Sequence, residues 1–309
     1  MIYTVTLNPA LDRELIVPAI LVDEVLRATQ SRVDCGGKGF NVSRTLAMLG
    51  VPSTALALAG GQAGATLRAA LLDLGVTAEF VAISGETRSN VSIISQDYDH
   101  TIKVNEPGPL ISADEQAALM TLVRERARPG DWWILAGSLP PGVSATIYAD
   151  LISVIKAAGG QTILDTSGVP LRHGCAARPM LVKPNALEAS QLTRRPVNSA
   201  AEAVEAARQL EGIEYVIISL GQQGAVLVQG EQAWLASPPH IEARNTIGAG
   251  DALVAGLVWG LSQHDALLGL RWGVACGASA ASQLGTTIGT HAEVARLAAR
   301  VELHSLPLD

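Results

Sequence analysis

Cysteine is scarce in this chain: Cys35, Cys175 and Cys276 are the only three, far apart and without a Cys-x-x-Cys pair. An odd, scattered set builds neither a disulfide framework nor a zinc site, and it points to a reducing, cytoplasmic setting. Positive charge is also in short supply. The 22 Lys and Arg against 29 Asp and Glu give a net charge of −7 with no basic cluster, which argues against a nucleic-acid surface and leaves individual cations free to act as local anion ligands. No apolar run has the uninterrupted length of a membrane span, and Met1 leads into Ile2–Leu7 without a charged leader, so a soluble, unprocessed protein with no membrane partner is expected. Metal spacing such as His-x-x-x-His is missing from the six histidines. Two nucleotide motifs are missing as well. There is no G-x-x-x-x-G-K-[ST], which excludes a P-loop, and Leu253 stands where the third glycine of a dinucleotide fingerprint would follow Gly248 and Gly250.

What is present is enough apolar material for one large α/β domain, residues 1–309, with a small appendage: 48% of 309 residues are hydrophobic. From Trp132 onward β-branched runs at 132–135, 162–165, 180–183 and 215–219 alternate with helical patterns near 144–158, 186–193 and 200–211. That rhythm predicts a mostly parallel sheet of about eight strands with helices on both faces. A strand at 2–7 and a helix opening near Asn41 join the same sheet. By contrast, Glu14–Val17, Leu26–Val33 and Val91–Val104 read as strands without helices between them, and Asp97-Tyr-Asp-His100 is a hairpin signal. A small, discontinuous antiparallel sheet from about residues 13–34 and 87–106 is expected.

Polar and glycine-rich motifs fall at the ends of these strands. Asn8-Pro-Ala-Leu-Asp12, Ala136-Gly-Ser-Leu-Pro-Pro-Gly142, Asp165-Thr-Ser-Gly168, Lys183-Pro-Asn185 and Ser219-Leu-Gly221 each follow a strand, and in a parallel sheet those carboxyl ends share one ligand-binding edge. Asn245-Thr-Ile-Gly-Ala-Gly-Asp251 then runs straight into an apolar helix. Gly248 and Gly250 allow left-handed or otherwise strained dihedrals that turn N–H groups toward one point, at a helix end that favours an anion. Asp251 there is either a helix-capping charge or a base beside that anion. Gly36-Gly-Lys-Gly39 suggests close backbone approach to a ligand, with Lys38 as either a solvated lysine or a point charge and Asn41 as either an N-cap or a hydroxyl ligand.

Gly36-Gly-Lys-Gly-Phe-Asn-Val42 and Asn245-Thr-Ile-Gly-Ala-Gly-Asp251 together resemble the two signatures of the ribokinase-like, PfkB-type carbohydrate kinases, and the resemblance spans the whole chain. Thr6–Asp12, Ala136–Gly142, Lys183–Glu188 and Ser219–Ala225 are similar to the branch that acts on phosphorylated ketohexoses. Lys103-Val-Asn-Glu-Pro-Gly-Pro109 resembles 1-phosphofructokinases more than tagatose-6-phosphate kinases. The resemblance implies an α/β/α sandwich with a small β lid, ATP and Mg²⁺ as cofactors, and fructose 1-phosphate as acceptor. Tagatose-6-phosphate kinase and 6-phosphofructokinase stand as alternatives, as does a sugar-phosphate sensor without turnover. It further implies that Asp251 is the general base and that Gly248, Ala249 and Gly250 form the anion hole. Asp12, Gly37, Asn41 and Ser138 would meet the sugar; Lys38, Arg27, Arg88 and Lys103 would meet its phosphate. Lys183, Asn185, Ser219, Gly221, Gly224, Thr246 and Gly277 would contact the nucleotide. Asn185 and Glu188 would hold Mg²⁺, largely through water. A homodimer through the lid is also implied.

Overall fold

The computed structural model describes every residue except 97–99, 284, 286, 308 and 309. The chain begins with β1 (Ile2–Thr6), β2 (Ala10–Val17), β3 (Gln30–Gly36), α1 (Lys38–Met48), β4 (Thr54–Ala59), α2 (Gly61–Asp73) and β5 (Thr77–Ala82). Next come β6 (Arg88–Ser95), β7 (Thr101–Asn105), α3 (Ala113–Arg126), β8 (Trp132–Ala136), α4 (Ile147–Ala157), β9 (Gln161–Asp165) and α5 (Gly168–Ala176). Then follow β10 (Leu181–Val182), α6 (Ala186–Thr193), α7 (Ala200–Arg208), β11 (Tyr215–Ser219), β12 (Ala225–Gln229) and β13 (Gln232–Ser237). The last elements are α8 (Ala249–Leu261), α9 (Ala266–Ala281), α10 (His291–Ala298) and β14 (Glu302–Leu306).

The main sheet has ten strands rather than about eight, in the order β14-β13-β12-β11-β10-β9-β8-β1-β4-β5. From β11 to β5 every pair is parallel; β12, β13 and β14 add an antiparallel edge. That edge turns on Gly230 at φ +55°, in a two-residue connection whose glycine is a hairpin signal. Alternate residues of each strand serve opposite faces. Tyr3, Val5, Trp133 and Leu135 join the core under α3 to α7, while Ile2, Ile134 and Ala136 join the core under α1, α8, α9 and α10. Burial on both faces is why these strands read as continuous apolar runs. A third cluster seats Phe40, Leu67 and Leu71 on Ala55 and Ala57. Helices α8 and α9 meet backbone to backbone: a Cβ on Gly256 or Gly260 would collide with the backbone of Gly273 or Gly269. Among the described residues, no helix is long and apolar enough to cross a membrane.

The second sheet has four strands, β3-β2-β6-β7. It is mixed rather than antiparallel, because β2 and β6 pair in parallel. The β4–α2–β5 unit between them carries the chain back to the starting side before β6 begins. Of the hairpin signal at 97–100, Asp97–Asp99 lie outside the described residues; Ser95 N–H donates to His100 O at 3.0 Å.

Candidate active site

Because the parallel strands end on one side, all five strand-end motifs meet there. Asn8, Asp12, Ser138, Thr166, Asn185, Ser219 and Gly221 line a cleft of about 1180 Å³ together with Lys38, Asn41 and Gly248–Asp251. That volume suits two ligands side by side, since a single small-ligand pocket is roughly 300–1,000 Å³.

Gly248 is the N-cap of α8, at φ +80° and with no side-chain cap hydrogen bond. Asn245 braces this turn, accepting from Ile247 N–H at 3.0 Å and donating from Nδ2 to Gly285 O at 2.9 Å. Gly250 lies inside the helix at an ordinary φ, which corrects the expectation that both glycines hold strained dihedrals. A Cβ there would sit 3.5 Å from Lys183 Nζ, an ordinary van der Waals contact. The Ala249 N–H donates to Thr246 O at 3.3 Å, a long bond within the turn. Asp251, two residues beyond Ala249, is buried, and its Oδ2 accepts from Asn41 Nδ2 at 2.8 Å. Helix α1 starts at Lys38 with Gly37 as N-cap, so Asn41 sits inside the helix and is not its cap. Burial, then the negative charge of Asp165, push the Asp251 carboxyl up to about 6, against the pull of Lys38, Asn41 and Lys183.

Asp165 is legible in the sequence only as the start of a strand-end motif, with no role of its own. It ends β9 with its side chain 1% exposed, and its Oδ1 lies 2.9 Å from Lys38 Nζ and 3.4 Å from Lys183 Nζ. Burial would raise its pKa, but the Lys183 and Lys38 ammoniums win and hold it below the usual carboxylate range. Lys183 is buried with only a small part of its side chain open to the cleft, and Lys38 is half-buried at the cleft. Lys38 is pushed above the ordinary lysine range: burial opposes this, and Asp165 and then Asp251 outweigh it.

At one end of the cleft, Asp12 and Asn90 face each other across β2 and β6, with Asn90 Nδ2 donating to Asp12 Oδ1 at 2.8 Å. Gly37, at φ +141°, passes so close to Thr6 and Phe40 that a Cβ would meet them at 2.8 and 3.3 Å. Arg88 reaches the same end, donating to Glu106 O at 2.7 Å and Asn8 O at 3.0 Å. Arg27, exposed between β2 and β3, and Lys103, exposed on β7, are not among the described residues that line the cleft. At the other end stand Thr246, Gly277 and Gly224, the last at φ +100° where a Cβ would strike Ala236 O. Pro238, Pro239, His240, Ile241 and Ala243 also line the cleft. Sequence reading passed over this segment, although two adjacent prolines after an apolar run mark a rigid loop.

Asn185 and Glu188 cap α6 reciprocally: Asn185 Oδ1 accepts from Glu188 N–H at 2.8 Å, and Glu188 Oε2 from Asn185 N–H at 2.9 Å. Capping uses one Glu188 oxygen, and no group of three or more His, Cys, Asp or Glu converges as a metal cage among the described residues. Such a donor set fits an ion that arrives with its own waters and phosphate ligands, as Mg²⁺ does.

A doubly covered parallel sheet with a buried carboxyl of raised proton affinity, an anion-favouring helix start and paired lysines at its carboxyl edge is the layout of a phosphotransferase. Residues 6–293 match the family described as pfkB family carbohydrate kinase, and the chain belongs to that family as an ATP-dependent carbohydrate kinase with a ribokinase-like fold. It is 38% identical to the 1-phosphofructokinase of Rhodobacter capsulatus, covering 99% of this chain and 98% of that protein. To the ATP-dependent 6-phosphofructokinase isozyme 2 of Escherichia coli it is 34% identical, over 96% of this chain and 97% of the relative. The crystal structure of phosphofructokinase-2 from Escherichia coli in complex with substrates and products superposes with a TM-score of 0.92 at 34% identity, over 97% of this chain and 98% of the other.

Proposed function

We propose that the chain transfers the γ-phosphoryl group of ATP to fructose 1-phosphate, giving fructose 1,6-bisphosphate and ADP. The observation that carries this reading is Asp251, a buried carboxyl with proton affinity near neutrality, fixed by Asn41 in the wall of the cleft. As the acceptor oxygen bonds to the γ-phosphorus, its proton passes to Asp251; the bond to the bridging oxygen breaks, and ADP leaves with that electron pair. The start of α8, from Gly248 to Gly250, faces the charge that grows on the transferred group. Asp12 and Asn41 hold sugar hydroxyls, Gly37 lets the sugar pass close to the backbone, and Ser138 contacts it from the far wall. Arg88 meets the existing phosphate. Lys38, tied to Asp165 beside Asp251, faces the group in transit instead. On the nucleotide side stand Lys183, Ser219, Gly221, Gly224, Thr246 and Gly277. Asn185 and Glu188 would hold Mg²⁺, largely through water, and it would supply neutralising charge to the nucleotide phosphates.

Several curated relatives named 1-phosphofructokinase favour fructose 1-phosphate. The Escherichia coli relative supports a second reading, with fructose 6-phosphate as acceptor. A panel of fructose 1-phosphate, fructose 6-phosphate, tagatose 6-phosphate and free fructose distinguishes them by kcat/KM. Fructose 1-phosphate is expected to lead; preference for free fructose would overturn the reading, and no ADP release with any sugar would leave a binding protein. The four-stranded sheet acts as a lid over the sugar. It exposes Val33, Ile102 and Val104, which supports pairing of two copies through it. Three free, buried cysteines accord with a cytoplasmic site of action.

A further inference from the structure

We propose that Asp165 is a positioning residue for phosphoryl transfer, the buried carboxylate that draws the sugar-side Lys38 and the nucleotide-side Lys183 together beneath the point of transfer. The two lysines come from separate elements, Lys38 opening α1 and Lys183 following β10, and both reach the same oxygen of Asp165. Two ammoniums held this close repel each other, and a carboxylate this enclosed is costly unless paired; one shared oxygen answers both demands. The second oxygen, Oδ2, is buried with no hydrogen-bond partner among the described residues. Both lysines line the cleft and Asp165 does not, so it acts on the substrates through them.

Its charge also bears on the base. The groups facing the Asp251 carboxyl are Asp165 from β9, Lys38 and Asn41 from α1, and Lys183 after β10. With Asp165 ionised, the cluster brings one net positive charge to Asp251; with asparagine in its place, it brings two. Two uncompensated ammoniums favour the ionised form of Asp251 and make it a weaker base.

This inference rests on the reading of Asp251 as the base, and the test keeps the two apart. Steady-state kinetics with ATP and fructose 1-phosphate are measured across pH for the parent chain, Asp165→Asn, Asp165→Glu and Asp251→Asn. Asp165→Asn is expected to lower kcat by about tenfold or more, to raise KM for both substrates, and to move the acid limb of kcat/KM down by about one pH unit. Asp165→Glu keeps the charge and displaces the lysines, so its acid limb stays in place while kcat falls. In a Lys38→Met background, Asp165→Asn should add less to the sugar KM than it does alone, because the pair is already broken. Parental kcat and KM in Asp165→Asn, or an acid limb that does not move, would overturn the proposal. Should Asp165→Asn fail to fold, parental kcat in Asp165→Glu overturns it equally. An active Asp251→Asn would sink the base reading, whereas an inactive one beside a parental Asp165→Asn would sink only this inference.

Discussion

Between its ordinary value of 3.8 and about 6, the folded protein holds a proton on Asp251 that the unfolded chain has already released. Stability therefore falls as pH rises through that window, and at neutral pH the ionised carboxylate costs up to about 3 kcal/mol. Asp251→Asn keeps a partner for Asn41 and removes that cost. It should melt at a higher temperature than the parent at pH 7 to 8, with the difference closing toward pH 4; thermal unfolding followed by circular dichroism would show this. The same variant should lose about 10²–10⁴-fold in kcat, the range for a positioned base. In the parent, kcat/KM should decline below about pH 6 as Asp251 becomes protonated. Arg88→Ala is expected to raise KM for fructose 1-phosphate by roughly tenfold or more and to leave KM for ATP nearly unchanged, the cost of losing a charge-assisted contact. An equal effect with free fructose would remove Arg88 from the phosphate. The guanidinium also ties Asn8 O to Glu106 O, so Arg88→Lys serves as the control that keeps the charge while losing the fork.

Helix α8 brings Asp251 into place, and its seat on α9 is built from Gly256 and Gly260 against Gly273 and Gly269. A methyl group at Gly260 forces the two backbones apart. Gly260→Ala should therefore cost about 1–3 kcal/mol in chemical denaturation and lower kcat more than it raises either KM. Unchanged stability would mean that the helices can separate without loss. Among the elements, legibility followed composition. β8, β9 and β11 were readable because both faces are apolar and β-branched, whereas β4, Thr-Ala-Leu-Ala-Leu-Ala, carries residues that suit a helix as well. Its alanines are small because Phe40, Leu67 and Leu71 press on that face, a fact of packing with no local signature. At the site, glycine turns flagged Lys38, Asn41 and Asp251. The role of Asp165 depends on Lys38, 127 residues away, so only the fold reveals it.

At the scale of the whole molecule, the exposed Val33, Ile102 and Val104 of the four-stranded sheet are the surface expected to join two copies. Replacing Ile102 and Val104 by Glu should shift the sedimentation coefficient from dimer to monomer; no change would place any interface elsewhere. A different consequence follows from the hydrogen bond between Asn41 and Asp251, whose partners lie 210 residues apart in the chain. β1 sits between β4 and β8, and β8 reaches it only after the second sheet has been laid down. During synthesis, a growing chain can thus assemble the N-terminal wall of the cleft long before α8, which carries Asp251, has left the ribosome. A nascent chain that has passed Ser138 but not Asp251 carries the residues proposed to hold the acceptor and lacks the carboxylate proposed to use it, so on that reading catalysis begins as one of the last events of folding.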